Sequence, residues 1–111
     1  MSLLSEIKSI IDELNIPVET GIFSNEPPSQ YIVLTPLSDT YKLFADNKPG
    51  KDIEEIRISL FDKGNYKNTK KLIEQAILEN DITITGRRYV THEDGTSYHQ
   101  IAIDIAKEYE I

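Results

Sequence analysis

The segment from Asp52 to Asn80, DIEEIRISLFDKGNYKNTKKLIEQAILEN, changes its hydrophobic period halfway along. From Ile56 to Leu60 every second residue is aliphatic, which is typical of a strand with one buried face. The second half has its apolar residues at helical spacing, namely Leu72, Ile73, Ala76 and Ile77. Because neither apolar face is stable alone, the helix must pack back on the sheet that contains the strand.

The remaining segments predict one more helix and several further strands. Ser2–Asn15 has an apolar stripe at helical spacing, and Pro17 ends it because proline cannot continue a helix. The predicted strands are Pro17–Phe23, Tyr31–Leu37, Tyr41–Ala45, Ile53–Phe61, Ile82–His92 with a bulge or bend at Gly86, and Ser97–Ala106. Turns at Asp46–Asp52 and Glu93–Thr96 predict hairpins.

This order of elements predicts a single domain over residues 1–111 with an α+β fold. A mostly antiparallel sheet is expected to pack against two helices as a two-layer sandwich. Ser2 and Asn65 are the predicted N-caps, since each side chain can accept a hydrogen bond from a first-turn amide. Pro17 predicts an edge position for the first strand.

Composition narrows the classes of function. The formal net charge of −7 makes the chain a poor candidate for wrapping nucleic acid, because phosphate contacts need lysine and arginine. The absence of cysteine excludes disulfides and thiolate metal sites. No apolar run is long enough for a membrane span, and no signal peptide is visible. We therefore expect synthesis in the cytoplasm.

Two histidines flank the second predicted turn. His92 and His99 are expected to approach each other across the hairpin, where Glu93 or Asp94 would complete a metal site with nitrogen and oxygen ligands. The spacing matches no known ligand motif, and polar residues beside a turn are usually solvated. The sequence therefore predicts no metal and no other cofactor.

Two clusters of basic residues are candidates for anion-binding sites. Arg87 and Arg88 form the only arginine pair, which could bind a phosphate or a partner's carboxylate, or could lie on an exposed strand face. Lys67, Lys70 and Lys71 cluster early in the second helix. A nucleic-acid surface built from these lysines would need interleaved aromatic residues, and in the sequence only Tyr66 is adjacent.

The carboxylates and serines lack the settings that catalysis needs. Paired acids such as Glu54–Glu55 resemble solvated faces, and no serine lies in a G-x-S-x-G turn. No glycine-rich phosphate loop is present. We therefore expect that the chain is not an enzyme.

The chain as a whole resembles the tail-completion, head–tail joining and tail-terminator-like proteins of long-tailed bacteriophages and prophages. Three stretches show the resemblance, and together they cover nearly the whole chain. They are LLSEIKSIIDELNIPV, YIVLTPL with the long hairpin and EIRISLFDKGNYKNTKKLIEQAI that follow it, and RRYVTHEDGTSYHQIAIDI.

The resemblance implies a non-enzymatic structural part of the virion. It would form a ring, of about six copies, between the connector and the tail-tube protein. DNA would pass through the acidic lumen without specific binding. The hairpin Tyr41–Ile53 would contact a neighbour or the connector, and the interface candidates are Tyr41, Leu43, Phe44, Lys48, Pro49, Lys51, Arg87 and Arg88.

Two other classes of function stay open at this point. A small regulatory or ligand-binding α+β module would need a concave apolar pocket with a few polar groups. A ring protein would instead have complementary patches on opposite sides. A small metal-dependent hydrolase would depend on His92, His99 and nearby acids, and we rank it last.

Overall fold

The computed structural model describes residues 2–21, 28–45, 48–92 and 98–110, with side chains for 2–21, 28–37, 52–90 and 98–109. Two helices and five strands make up these residues. In chain order they are α1 (Leu3–Glu13), β1 (Val18–Thr20), β2 (Gln30–Ala45), β3 (Lys48–Asp62), α2 (Tyr66–Glu79), β4 (Thr83–His92) and β5 (His99–Glu110).

The five strands form one sheet in the order β1-β2-β3-β5-β4. Only β1 and β2 pair in parallel, and the other three pairs are antiparallel. The predicted α+β class with a mostly antiparallel sheet and two helices is confirmed. The predicted edge position of the first strand is also confirmed, because β1 lies at one end of the sheet.

The core lies between the helices and one face of the sheet. Across the centre of the sheet, Ile58 pairs with Leu34 of β2 on one side and with Ile103 of β5 on the other. All three side chains are fully buried. Ile56 and Leu60, which lie two residues to either side of Ile58 in β3, are also buried, and this confirms the strand period that the sequence predicts. The other buried aliphatic residues of the sheet are Ile32, Ile101 and Ile105.

Both helices present an apolar stripe to this core. In α1 the stripe is Leu3, Ile7, Ile10 and Ile11, as predicted. In α2 the buried positions are Thr69, Ile73 and Ile77, whereas Leu72 is 47% exposed. The prediction that Leu72 belongs to the stripe is wrong, because it is rotated about 100° from Ile73 around the helix axis.

The predicted caps are confirmed. The Ser2 side chain accepts a hydrogen bond from Ser5 N at 3.2 Å, and Asn65 Oδ1 accepts one from Asn68 N at 3.4 Å. Asp62, at the end of β3, is buried and accepts a hydrogen bond from Gly64 N at 2.7 Å. These bonds fix the sharp change of direction from β3 into α2.

The first hairpin is longer than predicted. Tyr31–Leu37 and Tyr41–Ala45 are parts of one strand, β2, with a register shift between Pro36 and Ser38. Pro36 has no N–H, and the missing donor would face the side of β2 on which β1 lies. Because β1 ends beside Leu34, no strand among the described residues pairs with that side of β2 at Pro36, and the proline is tolerated.

The predicted turn at Asp46–Asp52 is too long, because β3 begins at Lys48 and only 46–47 fall outside the described residues. Turn-forming composition is overridden by pairing with β2, where Phe44 is the register partner of Pro49. The strand β5 likewise continues to Glu110, past the predicted end at Ala106. The predicted turn at Glu93–Thr96 lies outside the described residues.

The strand β4 contains two register shifts against β5. The first lies between Ile84 and Gly86, where the sequence predicts a bulge, and the second lies between Tyr89 and Thr91. Each bulge adds one residue and so exchanges the faces to which later side chains point. Between the bulges, Arg87 and Tyr89 pair with Ile103 and Ile101, on the helix side of the sheet.

Candidate functional site

The hairpin of β2 and β3 extends past the rest of the sheet. The last register pair between β3 and β5 is Lys51 with Glu110. The hairpin itself continues to the pair Ala45 and Lys48. Along a strand these extra residues span roughly 10 Å. The molecule is accordingly long and narrow, at 55 × 24 × 23 Å.

The base of this hairpin is attached to α1. Leu3 N donates to Glu54 Oε1 at 3.3 Å, and Lys107 Nζ donates to Glu6 Oε2 at 2.9 Å. Tyr109 of β5 packs against the core close to Glu6 and Glu54. Burial, followed by the nearby carboxylates of Glu6 and Glu54, raises the pKa of the Tyr109 hydroxyl above its ordinary value. The base of the hairpin is therefore fixed to the helix layer, whereas its distal part extends past β5.

The sheet face opposite the helices bears an aromatic cluster. The rings of Tyr31 and Phe61 are stacked with centroids 4.7 Å apart, and Tyr98 meets Tyr31 edge-on at 5.4 Å. Lys63 Nζ lies 4.7 Å from the centroid of the Tyr98 ring. In the part of the chain that the structure describes, no helix covers this face, which we call the open face.

Next to these rings, the open face is partly shielded by its own side chains. Arg57 and Asp104 form two parallel hydrogen bonds, from Nε to Oδ1 at 2.8 Å and from Nη2 to Oδ2 at 3.1 Å. The hydrogen bonds and the charge of Asp104 raise the pKa of Arg57. The small residues Ser59 and Ala102 lie directly opposite each other in the adjacent row and are buried.

A basic cleft lies on the helix side of the sheet, between α2 and the end of β4. Its volume is about 420 Å³, within the range of small-molecule sites. Four cationic side chains and one carboxylate contribute to its lining, together with two tyrosines and Ile101. The charged residues are Lys67, Lys70, Lys71, Arg87 and Glu74.

Glu74 lies between the cations of this cleft. Its Oε2 accepts a hydrogen bond from Arg87 Nη1 at 3.1 Å, and its Oε1 lies 3.9 Å from Lys70 Nζ. Glu74 Oε1 is buried without a hydrogen-bond partner. One carboxylate therefore faces four cations within the cleft, which leaves the local charge positive in a chain whose net charge is −7.

Two tyrosines, Tyr66 and Tyr89, line one end of the cleft, and the ring of His99 contacts both of them. Tyr66 lies 4.7 Å from His99 and 5.8 Å from Tyr89, between ring centroids. The Tyr89 hydroxyl is 2.9 Å from His99 Nδ1, and the Tyr89 side chain is nevertheless 47% exposed. In the sequence, only Tyr66 is adjacent to the lysines. The available signal for Tyr89 is Gly86, because a bulge there turns Tyr89 toward α2.

The predicted arginine pair does not act as one group. Arg87 pairs with Ile103 on the helix side, whereas Arg88 pairs with Ala102, on the open face. Consecutive residues of a strand point to opposite faces, so the two guanidinium groups cannot grip one anion together. Arg87 instead forms an ion pair with Glu74 of α2.

His92 of β4 and His99 of β5 are register partners, which agrees with the expectation that they approach each other across the hairpin. The side chain of His92 lies outside the described residues, and so do Glu93 and Asp94. His99 lies among the rings of the cleft. Among the residues with described side chains, no group of three or more histidines and acids is arranged to hold a metal ion.

The other interface candidates lie along the projecting hairpin. They occupy β2 and β3, and their side chains are outside the described residues: Tyr41, Leu43, Phe44, Lys48, Pro49 and Lys51. Their role in contacts stays a prediction, and the backbone places all six in the distal half of the hairpin.

Neither helix of the described chain has the length and hydrophobicity needed to cross a membrane. Comparison with protein-family models gave no match, and comparison with curated proteins gave none either. Any function assigned to the chain therefore depends on its own residues and geometry.

Proposed function

We propose that this chain is a non-enzymatic structural protein that assembles with copies of itself into a ring. The observation that supports this most directly is the hairpin of β2 and β3, which continues past its last register pair with β5. A two-stranded hairpin with no further strand or layer is marginally stable in water. A protein surface supplied by a neighbouring copy would stabilise the distal part.

The open face offers a second contact surface. The stacked rings of Tyr31 and Phe61 lie on a side of the sheet that no described helix covers. Leu37, which lies in the same strand as Tyr31, is 41% exposed. Apolar surface of this kind is stabilised when a partner removes it from water. A ring needs two different surfaces per copy, and the hairpin and the open face are two such surfaces.

Location and partners of the ring follow from the resemblance to phage tail-completion and head–tail joining proteins. On that basis the ring, a hexamer, would lie between the connector and the tail tube of the virion. The net charge of −7 supports a lumen that DNA crosses without binding, because acidic side chains repel phosphates. Synthesis would take place in the bacterial cytoplasm, and the hairpin Tyr41–Ile53 would contact a neighbour or the connector.

The test is light scattering after size exclusion over a wide range of protein concentration, with electron microscopy of any large species. We expect closed rings with a central hole. Replacing both Leu43 and Phe44 by serine should abolish the rings while leaving the monomer folded. The matched control replaces Leu72 and Leu78 by serine, since these are exposed on α2, away from the hairpin.

Two results would contradict the proposal. One is that the parent chain and the hairpin variant are both monomers at every concentration. The other is that the hairpin variant and the helix variant disturb assembly equally. The first of these would favour the second candidate function, a small ligand-binding module. The observation in favour of that candidate is the basic cleft, which has the concave shape and the polar groups that such a module needs.

A further inference from the structure

The basic cleft concentrates positive charge at the start of α2. Three of its lysines lie within the first six residues of α2, in Tyr66–Lys71. Lysines in this position are unfavourable, because the N-terminal end of a helix is already electropositive. The first turn contains no acidic residue that would compensate for them. An anion in the cleft would relieve this repulsion.

The aromatic residues of the cleft are held in place. The hydroxyl group of Tyr89 is bonded to His99, and both rings contact Tyr66, so the exposed ring of Tyr89 has a defined orientation. An oriented, half-exposed ring is a platform on which a planar ring can stack. Arg87 lies two residues from Tyr89 on the same side of β4, which places a cation close to this platform.

We propose that the cleft binds a nucleoside monophosphate or a closely related phosphorylated planar ring. The base stacks on Tyr89, and the phosphate lies among Lys67, Lys70, Lys71 and Arg87. A cavity of about 420 Å³ has room for a ligand of this size. The inference goes beyond the proposed ring and does not depend on it.

The test is an NMR titration of the full chain with adenosine 5′-monophosphate, with inorganic phosphate and adenosine as separate probes. We expect saturable shifts of the Lys70, Arg87 and Tyr89 amides with the nucleotide, and at least about tenfold weaker binding of either part alone, since charge and stacking both contribute. Tyr89→Ala should weaken nucleotide binding about tenfold, whereas Tyr89→Phe, which keeps the ring, should retain most of it.

The neighbouring arginines provide a matched control. Arg87→Gln and Arg88→Gln remove the same charge from adjacent positions, but only Arg87 lines the cleft. We expect Arg87→Gln to weaken nucleotide binding about fivefold or more and Arg88→Gln to change it less than about twofold, because Arg87 lines the cleft and Arg88 lies on the opposite face of the sheet.

Three outcomes would overturn the inference. The first is no saturable shift up to about 10 mM nucleotide, which places Kd above the millimolar range. The second is an equal loss in the two arginine variants, which indicates bulk charge. The third is binding of a single-stranded oligonucleotide without binding of the mononucleotide, which would make the cleft a nucleic-acid surface. Ring formation is measured separately, so its failure and the failure of this inference are distinguishable.

Discussion

The ring of Tyr31 in β2 lies parallel to the ring of Phe61 in β3, with an angle of 6° between the planes and 4.7 Å between the centroids. The two residues are register partners, so the stack is a direct cross-strand pair on the open face. Aromatic cross-strand pairs stabilise a sheet beyond the area that they bury. Their coupling can be measured independently of any assembly.

A double-mutant cycle of Tyr31→Ala and Phe61→Ala should give a coupling free energy of about 1 kcal/mol. The physical reason is that either single variant removes the whole stack, so the second substitution costs less than it does alone. The measurement is the free energy of unfolding by urea for the four proteins. A cycle of Tyr31 with Val90 serves as the control and should be additive. Additive behaviour of the Tyr31 and Phe61 pair would contradict the stacked geometry.

Asp62→Ala should lower the free energy of unfolding by about 2 kcal/mol or more, because it removes a buried carboxylate that accepts two hydrogen bonds. Asp62 accepts hydrogen bonds from Gly64 N at 2.7 Å and from Gln30 Nε2 at 2.8 Å, and Gln30 also donates to Thr69 Oγ1 at 2.9 Å. The residue thus joins β2, β3 and α2 at one point.

The control for Asp62 is Asp12→Ala on the exposed side of α1, which should change stability by less than about 0.5 kcal/mol. Both proteins are compared by denaturant unfolding at the same pH. Equal stability of the two variants would mean that the bonds to Asp62 do not stabilise the start of α2.

The raised pKa of Tyr109 predicts a loss of stability in alkali. The unfolded chain releases this proton near the ordinary pKa of 10.0, whereas the folded chain retains it to higher pH. The stabilisation is therefore complete below pH 10.0 and declines as pH rises through the window between the two values. The slope from one such group is about −1.4 kcal/mol per pH unit.

Tyr109→Phe removes this ionisation, so its free energy of unfolding should fall less steeply above pH 10.0 than that of the parent chain. The measurement is urea unfolding at a series of pH values on either side of that point. Tyr89→Phe, which removes an exposed hydroxyl group, is the matched control. Parallel curves for the parent and Tyr109→Phe proteins would show that Tyr109 is not the responsible group.

Much of the fold follows from local patterns in the sequence. The period of two from Ile56 to Leu60 and the stripe in α1 are strong signals, because burial of one face requires them. The ends of elements are weaker signals. Lys48–Asp52 has a composition typical of turns, and it forms a strand because it pairs with the end of β2, from Tyr41 opposite Asp52 to Ala45 opposite Lys48.

The basic cleft was harder to predict from the sequence than the sheet was. Its lysines are close together in the chain, but Tyr89 and His99 reach them only through the pairing of β4 and β5. The direction of Tyr89 depends on a single extra residue before Gly86. A bulge can be suspected from a glycine, but its exact position, and with it the face of every later side chain, is decided by the partner strand.

The position of β3 in the sheet has a consequence for how the chain folds. One partner of β3 is the preceding strand β2, but the other is β5, the last strand in the chain order. During synthesis β3 therefore has an unpaired edge until β5 has left the ribosome. Early intermediates would expose the edge and the apolar face of a long strand, features through which chains misassemble and which chaperones protect. Pairing of β5 both completes the core and removes that edge.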